Sequence, residues 1–282
     1  MKKLLKNITG TAASVVKIIL RSRSPRKSLP TDKTKSIVIL GNGPSLRTTM
    51  ERHPEFLRSR QLMAVNYAAN SSQFKDLRPH YYIMTDSTFF QEPDEESPTS
   101  ILWKTLAGVS WPMILFVPVG QKETAVRLTA HNPEITIRTL NLTPLEGANA
   151  IIHPLFDRGY GMPRPRNVLI AAIMAAISEG FGQIFLAGAD HTWSRTLCVD
   201  SQNRICTALS HFYDSSPDEN KKPVAVEAYK GKHLHEILMS LVIAFRSYFQ
   251  IREYADRRGV SIINITPESM IDAFPKWTPP EE

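Results

Sequence analysis

The chain of 282 residues predicts an α/β fold, namely a doubly wound and mostly parallel sheet with helices on both faces. Short apolar runs recur along the chain, and several of them are continuous, which is typical of strands buried on both sides. Helix-forming segments separate these runs, so the order of elements alternates as in a Rossmann-like sheet. The predicted strands cover residues 36–40, 61–65, 80–84, 113–118, 135–139, 183–188 and 260–265.

Composition and charge predict one folded domain preceded by a basic segment. Apolar residues make up 42% of the chain and charged residues 22%, which suits a single large core. Residues 1–30 contain eight Lys or Arg and no acidic residue, which leaves 26 basic against 27 acidic residues in residues 31–282. Because this body is close to neutral and carries no recognisable nucleic-acid-binding motif, we expect no nucleic-acid partner.

The segment of residues 1–30 has an amphipathic pattern. Apolar residues recur at helical spacing over residues 4–20, with lysines among them and a basic cluster behind. The run is too short and too interrupted to span a bilayer, and the basic cluster lies where a signal peptide would be cleaved. The pattern predicts a helix lying on an anionic membrane surface through residues 1–27. A flexible basic tail, or a helix packed on the body, is the alternative.

The two cysteines, Cys198 and Cys206, are expected to lie in a loop. Their spacing matches neither a zinc-ligand pattern nor a redox pair, so reduced thiols are the simplest interpretation.

Two helices are predicted most clearly. The alanine-rich segment 167–180 has Asn167 as its N-cap and Gly180 as its end, and a long helix is expected over residues 233–258. In a sheet of this kind, ligands bind beyond the carboxyl ends of the strands, so residues just after each strand are the candidates for a site.

The first candidate is the turn Gly41-Asn42-Gly43-Pro44-Ser45, which follows the first predicted strand. Two glycines permit a tight turn that presents backbone N–H groups to an anion, and Ser45 is expected to cap the next helix, whose N-terminus favours negative charge. The turn is neither a dinucleotide fingerprint nor a Walker motif. It predicts nucleotide binding, with an ordinary strand-to-helix turn as the alternative.

Further polar residues follow other predicted strands. Asn66 and Asp86 end the second and third strands, and each is either a ligand-binding side chain or a local cap. Asp190 and His191 follow the strand at 183–188, where the pair either orients a proton, holds a metal or forms a turn. The predicted nucleotide-binding set adds Asn167, Gly188 and Ser269 to the turn and Asn66.

A histidine before the long helix is the candidate base. His233 and His235 follow Tyr229 and Gly231, and a neutral imidazole accepts a proton from an acceptor hydroxyl. Solvent exposure without a role is the expected state of His235. The predicted catalytic residues are therefore His233, Asp190 and Asp86, and no protein metal ligands are predicted for a transferase.

Several of these segments together resemble the DUF115 group, which is similar to the archaeal 6-hydroxymethylpterin diphosphokinases of the MptE-like type. The resemblance lies in residues 39–46, 65–66, 82–86, 179–191 and 263–274. It implies a nucleotide-binding domain over most of residues 36–275.

The same frame resembles the bacterial sialyltransferases of glycosyltransferase family 42. This resemblance implies that Gly41 through Ser45 and Asn66 bind a CMP-sugar, and that His233, which follows Tyr229-Lys230-Gly231, is the base. The chain has one extra residue, Lys232, before this histidine, and it has Asp86 where that family has asparagine.

These observations lead to three hypotheses about function. The first is a glycosyltransferase that moves a sugar from a nucleotide donor, such as a CMP-linked sialic or related acid, to a glycan or lipid-linked acceptor in lipopolysaccharide or capsule synthesis. It would need no cofactor and would work in the cytoplasm at the inner face of the membrane. The second is a pyrophosphokinase of the diphosphokinase type, in which Asp86 and Asp190 hold Mg²⁺. The third is a non-catalytic nucleotide-binding protein.

Overall fold

The structure is a computed structural model that describes residues 2–91, 94–208, 212 and 222–281. The side chains of residues 2–6 and 228 lie outside the description. The lysines at positions 2, 3 and 6 of the basic segment are therefore described only by their backbone.

The described chain contains a seven-stranded sheet and a three-stranded sheet. The strands, in chain order, are β1 (Asp32–Leu40), β2 (Gln61–Val65), β3 (Tyr81–Ile83), β4 (Met113–Pro118), β5 (Ile135–Leu140), β6 (Phe181–Ala187), β7 (Cys198–Val199), β8 (Ile205–Thr207), β9 (Val224–Ala225) and β10 (Ser261–Asn264). The large sheet has the order β10-β6-β1-β2-β3-β4-β5, and all of its pairs are parallel. All seven predicted strands are present, which confirms the α/β prediction.

The described helices lie on both faces of the large sheet. They are α1 (Lys2–Arg21), α2 (Ser45–Arg52), α3 (Pro54–Arg58), α4 (Phe74–Leu77), α5 (Pro98–Ala107), α6 (Lys122–Leu128), α7 (Asn149–Asp157), α8 (Val168–Ser178) and α9 (Leu234–Arg258). Alternate residues of β1 enter different cores: Ile37 and Ile39 pack with α8 and α9, whereas Val38 and Leu40 pack with α2 and α3. Burial on both faces explains the continuous apolar runs.

The two helices predicted from sequence are confirmed, and so are the residues predicted at their ends. The Asn167 side chain accepts a hydrogen bond from the Ile170 N–H at 3.2 Å and so caps α8, which is fully buried over residues 169–177. Gly180, just beyond α8, has a φ of 83°, which favours glycine. The His233 N–H donates to the Glu236 carboxylate at 2.8 Å where α9 begins.

The strand order places a crevice between β1 and β6. From β1 the chain adds β2 through β5 on one side, and β6 and β10 then lie on the other side. The point at which the order reverses is the usual ligand site of such sheets, beyond the carboxyl ends of the strands. At this point the chain has Gly41 to Ser45 after β1 and Gly188 to Asp190 after β6.

The prediction that both cysteines lie in a loop is wrong. Cys198 and Cys206 are directly opposite each other in the antiparallel pair β7 and β8, and both are free thiols. These strands have two and three residues, which is too short to produce a recognisable alternation in the sequence.

The predicted N-terminal helix is present as α1, and it packs on the body. The buried Ser14 hydroxyl donates to the Glu146 carbonyl oxygen at 2.7 Å, and the Glu146 N–H donates back to Ser14 Oγ at 2.8 Å. At the end of the helix, the Ser22 hydroxyl binds the Tyr160 carbonyl oxygen at 2.5 Å. Among the described residues, no helix combines the length and apolar character that crossing a bilayer requires.

We predict that Ser14→Ala destabilises the protein by about 1–3 kcal/mol. The N–H and the carbonyl oxygen of Glu146 both lose their hydrogen bond to the Ser14 hydroxyl, and the alanine methyl group that replaces it cannot form one. Urea denaturation followed by circular dichroism measures the change. Ser72→Ala is the control, since this serine is exposed, and it should change stability by no more than about 0.5 kcal/mol. Equal effects of the two substitutions would contradict the docking of α1 through Ser14.

Candidate functional site

The carboxyl ends of β1 and β6 are bound tightly to each other. The Gly41 N–H donates to the Ala187 carbonyl oxygen at 2.8 Å, and the Gly43 N–H donates to the Gly188 carbonyl oxygen at 2.9 Å. A Cβ atom on Gly41 would overlap the Gly188 carbonyl group, and one on Gly188 would overlap the Gly41 carbonyl oxygen. Glycine is needed here because the two backbones are in direct contact.

Asp190 lies in this crevice, with its carboxylate at the start of α2. The carboxylate accepts hydrogen bonds from the Ser45 hydroxyl at 2.8 Å and from the Ser45 N–H at 3.3 Å, and the residue is only 8% exposed. Burial raises the pKa of Asp190 above its usual range, and the two bonds from Ser45 act in the opposite direction. A side chain at Gly43 would overlap this carboxylate.

The backbone N–H groups of the turn therefore have different partners from the anion that was predicted. The N–H groups of Gly41, Gly43 and Ser45 bind oxygen atoms of the chain itself. Ser45 is the first residue of α2, after Pro44 at the cap position, and its hydroxyl donates to Asp190. The expectation that Ser45 caps the helix is therefore wrong, and Asp190 holds the position that was predicted for a phosphate.

Phe212 contacts the same turn. The Phe212 N–H donates to the Asn42 carbonyl oxygen at 3.1 Å, and the Arg47 guanidinium donates to the Phe212 carbonyl oxygen at 2.7 Å. The Phe212 ring is buried in the core formed by α2 and α3 with the sheet. The peptide at residue 212 is thus bound to both the turn and α2.

Beside the closed turn, two asparagine side chains have buried oxygen atoms that accept no hydrogen bond within the described part of the chain. The Asn42 Nδ2 atom donates to the Val65 carbonyl oxygen at 3.2 Å, which joins the ends of β1 and β2. The Oδ1 atoms of Asn42 and Asn66 are buried, and no described residue donates to them. Asn66 has a φ of 49°, and its carbonyl oxygen accepts a hydrogen bond from the Tyr82 hydroxyl. Buried acceptors of this kind are costly unless a donor from outside the described residues, such as a water molecule or a ligand, reaches them.

The other predicted carboxylate does not join this cluster. Asp86 is exposed and accepts hydrogen bonds from the Thr88 N–H and the Thr88 hydroxyl, both at 2.9 Å. This is the local cap that the sequence offered as the alternative. Within the described part of the chain, no three His, Cys, Asp or Glu side chains are grouped so as to hold a metal ion. The Mg²⁺ role of Asp86 and Asp190 in the diphosphokinase hypothesis stays a prediction.

Two further members of the predicted nucleotide-binding set have structural contacts. The Gly188 backbone touches Gly41, as described above. The buried Ser269 hydroxyl donates to the Ala189 carbonyl oxygen at 2.6 Å and accepts from the Ile271 N–H at 3.2 Å. Ser269 thus fixes the loop after β10 against the end of β6.

His191 lies in a buried polar network with Tyr248 and Asn167. The Tyr248 hydroxyl lies 2.7 Å from His191 Nε2 and donates to Asn167 Oδ1 at 3.0 Å. Burial lowers the pKa of His191 to about 4 and raises that of the Tyr248 hydroxyl. His191 is consequently neutral near pH 7, and the same asparagine that caps α8 connects it to the neighbouring cavity.

That cavity has a volume of about 420 Å³ and lies against the first turns of α9. Its lining residues are Arg166, Asn167, Trp193, Tyr229, Lys232, Glu236, Ile237, Ser240, Leu241 and Ala244. It combines two cations and one carboxylate with two aromatic rings and an apolar helix face, which is the usual make-up of a small-molecule site. No motif in the sequence singles out Arg166 or Trp193, because these residues join the cavity only through the fold.

The candidate base lies next to the cavity. His233 is exposed and lies immediately before α9. The residue before it, Lys232, and the helix after it both contribute side chains to the cavity. The His233 ring stacks on the His235 ring at a centroid distance of 5.9 Å. His235 is exposed, as expected. The catalytic roles of His233, Asp190 and Asp86 stay predictions.

Comparison with known proteins finds similarity to solved structures. The MAf glycosyltransferase from Magnetospirillum magneticum AMB-1 is similar in fold, with a TM-score of 0.49 and 13% sequence identity. The match covers 97% of this chain and 38% of that chain, so this chain spans well under half of the length of that protein. No protein-family model and no curated protein matches the sequence.

We predict that the free energy of unfolding decreases as the pH falls from about 6.5 to about 4. In this range the unfolded chain protonates His191, whereas the folded chain keeps it neutral, so acid favours unfolding. The loss for this one group is on the order of 3 kcal/mol, since one pKa unit corresponds to about 1.4 kcal/mol.

Urea denaturation at several pH values, with the wild type compared with His191→Asn, measures this contribution. Asparagine tolerates the left-handed backbone of residue 191, where φ is 56°. The difference in stability between the two proteins should shrink by about 3 kcal/mol as the pH falls across this range. His235→Asn is the control, because His235 is exposed and lies outside this buried network. A wild-type advantage over His191→Asn that is constant with pH would show that His191 titrates normally.

Proposed function

We propose that the chain is a glycosyltransferase that takes its sugar from a nucleotide donor, and that the donor is a CMP-sugar such as a sialic or related acid. The acceptor is a glycan or a lipid-linked precursor of lipopolysaccharide or capsule. The observation that carries this proposal is a pair of buried oxygen atoms, Asn42 Oδ1 and Asn66 Oδ1, beside the point where the strand order reverses. Neither atom accepts a hydrogen bond from a described residue.

These two atoms favour the nucleoside part of a donor over its phosphate. An amide oxygen accepts hydrogen bonds and therefore binds an N–H or O–H group. Cytosine offers an exocyclic amino group, and ribose offers hydroxyl groups. A phosphate offers only acceptors near neutral pH, and the carboxylate of Asp190 already occupies the start of α2. The nucleoside is accordingly assigned to the ends of β1 and β2.

The cavity beside α9 suits the remaining part of such a donor. Arg166 and Lys232 supply positive charge for a phosphate or for the carboxylate of a sugar acid. The rings of Trp193 and Tyr229 offer apolar faces for the C–H groups of a sugar ring. Asn167 lines this cavity and also belongs to the network around His191, so the cavity adjoins the end of β6.

His233 is assigned the role of general base. The oxygen of the acceptor hydroxyl attacks the anomeric carbon while the bond from that carbon to the phosphate oxygen breaks. The proton of the hydroxyl passes to the imidazole, and the electron pair of the broken bond leaves with CMP. His233 directly follows Lys232, a residue that lines the cavity, and this adjacency supports the assignment. Asp190 is assigned a positioning role, because it holds the start of α2 through Ser45. The transfer as proposed uses no metal ion.

We predict that CMP raises the melting temperature of the purified protein and does so equally with Mg²⁺ or with a chelator. A ligand that binds only the folded state must stabilise it. Thermal unfolding with CMP, CDP, UDP, GDP and ATP, each with and without Mg²⁺, is the measurement. Stabilisation by ATP that requires Mg²⁺ would instead favour the diphosphokinase, and no response to any nucleotide would contradict the site.

The substitution Asn66→Gly tests the assigned contact, because glycine retains the positive φ while removing the amide. Loss of one hydrogen bond to the ligand should weaken CMP binding by about 10-fold in a calorimetric titration. Asn203→Gly is a matched control, since Asn203 is exposed and has a φ of 58°. An unchanged affinity in Asn66→Gly would remove Asn66 from the site. CMP binding without transfer from any CMP-sugar would favour a non-catalytic nucleotide-binding protein.

A further inference from the structure

The helix α1 docks on the body through its small and polar face. Ser14 is buried against Glu146, and the Thr11 hydroxyl accepts a hydrogen bond from the Ala148 N–H at 3.0 Å. Gly10 touches the Glu146 backbone, where a Cβ atom would lie 3.2 Å from the carbonyl oxygen. Of the apolar residues on this side, Ile18 packs against the core. The contacts are thus mainly hydrogen bonds and close backbone approaches.

The opposite face of α1 is apolar and points outward. Ile19 is 71% exposed and Leu20 is 65% exposed. The exposed apolar residues of this face are Ile8, Ala12, Val15, Val16, Ile19 and Leu20. They recur at intervals of three and four residues and so form one stripe along the helix. A helix packed on a water-soluble body normally buries such a stripe, so its exposure indicates a contact with something else.

The charged residues of the segment that carries this stripe are all basic. Residues 1–31 contain no acidic residue. Arg21, Arg23 and Lys27 are exposed at the end of the helix and just after it, and Lys17 lies at the edge of the docked face. Arg26 is paired with Glu179 and is therefore not part of this charge. The stripe is bordered by positive charge that no acidic residue of the same segment neutralises.

A second row of exposed apolar residues lies on α9, and Glu146 connects the two helices. The Glu146 backbone binds Ser14 of α1, while its carboxylate pairs with Arg246 of α9 at 3.2 Å and with Arg164 at 3.5 Å. The exposed residues of the second row are Leu234, Leu238, Met239, Val242 and Phe249. This row begins next to the helix turns that line the cavity.

We infer that the outward face of α1 binds the surface of an anionic phospholipid bilayer, with the helix lying in the plane of the membrane. The apolar stripe enters the boundary between headgroups and acyl chains, while the basic side chains contact the headgroups. A second copy of the chain fits less well, because pairing two such helices would bring two clusters of positive charge together. The inference does not depend on the reaction catalysed, although it would keep the cavity beside α9 near a lipid-linked acceptor.

Flotation with vesicles tests the inference on the full chain. Vesicles of phosphatidylcholine mixed with phosphatidylglycerol should bind the protein, and vesicles of phosphatidylcholine alone should bind it much more weakly. Ile19→Glu should reduce binding to the mixed vesicles by at least about 10-fold, because it puts a charge into the apolar stripe. The melting temperature of this variant should match that of the wild type, since Ile19 faces away from the body.

Ile101→Glu is the matched control, because Ile101 is also an exposed isoleucine on a helix, at 48% exposure on α5, and the change in net charge is identical. Binding of this control should equal that of the wild type. Equal losses in the two variants, or no binding of the wild type to anionic vesicles, would overturn the inference. It would also be overturned if light scattering detected a dimer that Ile19→Glu converts to a monomer while vesicle binding is unchanged.

Discussion

The close contact between the carboxyl ends of β1 and β6 determines the arrangement of the whole site. Gly41 and Gly188 have no Cβ atom, so the two backbones hydrogen-bond directly beyond the sheet. Because of this contact, the segment that follows β6 lies against the turn that follows β1, and the Asp190 carboxylate binds Ser45. Phe212 binds the outer side of the same turn through Asn42. Backbone groups and the Asp190 carboxylate therefore occupy the crevice between β1 and β6 at the start of α2.

Electrostatics decides where a phosphorylated ligand fits in this arrangement. The start of α2 favours a negative charge by about 0.3–1 kcal/mol, and Asp190 already supplies one. A phosphate placed about 4 Å from that carboxylate would be repelled by roughly 4 kcal/mol at an effective dielectric constant of about 20. The repulsion exceeds the attraction of the helix end. A nucleoside at Asn42 and Asn66, with its phosphate directed toward Arg166 and Lys232, avoids this conflict.

The parts of the fold that were predictable from sequence are those encoded by local patterns. The apolar runs and the N-cap at Asn167 can be read without knowing what packs against them, and they identified the seven strands of the large sheet and the capped start of α8. The pairing of Cys198 with Cys206 could not be read, because strands of two and three residues carry no periodicity. The outward orientation of the α1 stripe also depends on contacts with residues more than a hundred positions away.

For the candidate site, the topology made it predictable that polar residues at the strand ends lie close together. The hydrogen-bond partner of each polar atom could not be predicted in this way. Asp190 takes the donors of Ser45 only because β1 and β6 are neighbours in a particular register. The same register leaves the Asn42 and Asn66 oxygen atoms without partners among the described residues, and nothing in the residues' spacing signals this. The cavity likewise combines residues from segments that are distant in the chain.

The most direct test of this account is a crystal structure of the protein with CMP. We expect amino or hydroxyl groups of the nucleoside to bind Asn42 Oδ1 and Asn66 Oδ1, while the contact between Asp190 and Ser45 is retained. A phosphate bound at the start of α2, with the Asp190 carboxylate displaced from Ser45, would contradict it and would restore the glycine turn as the phosphate site.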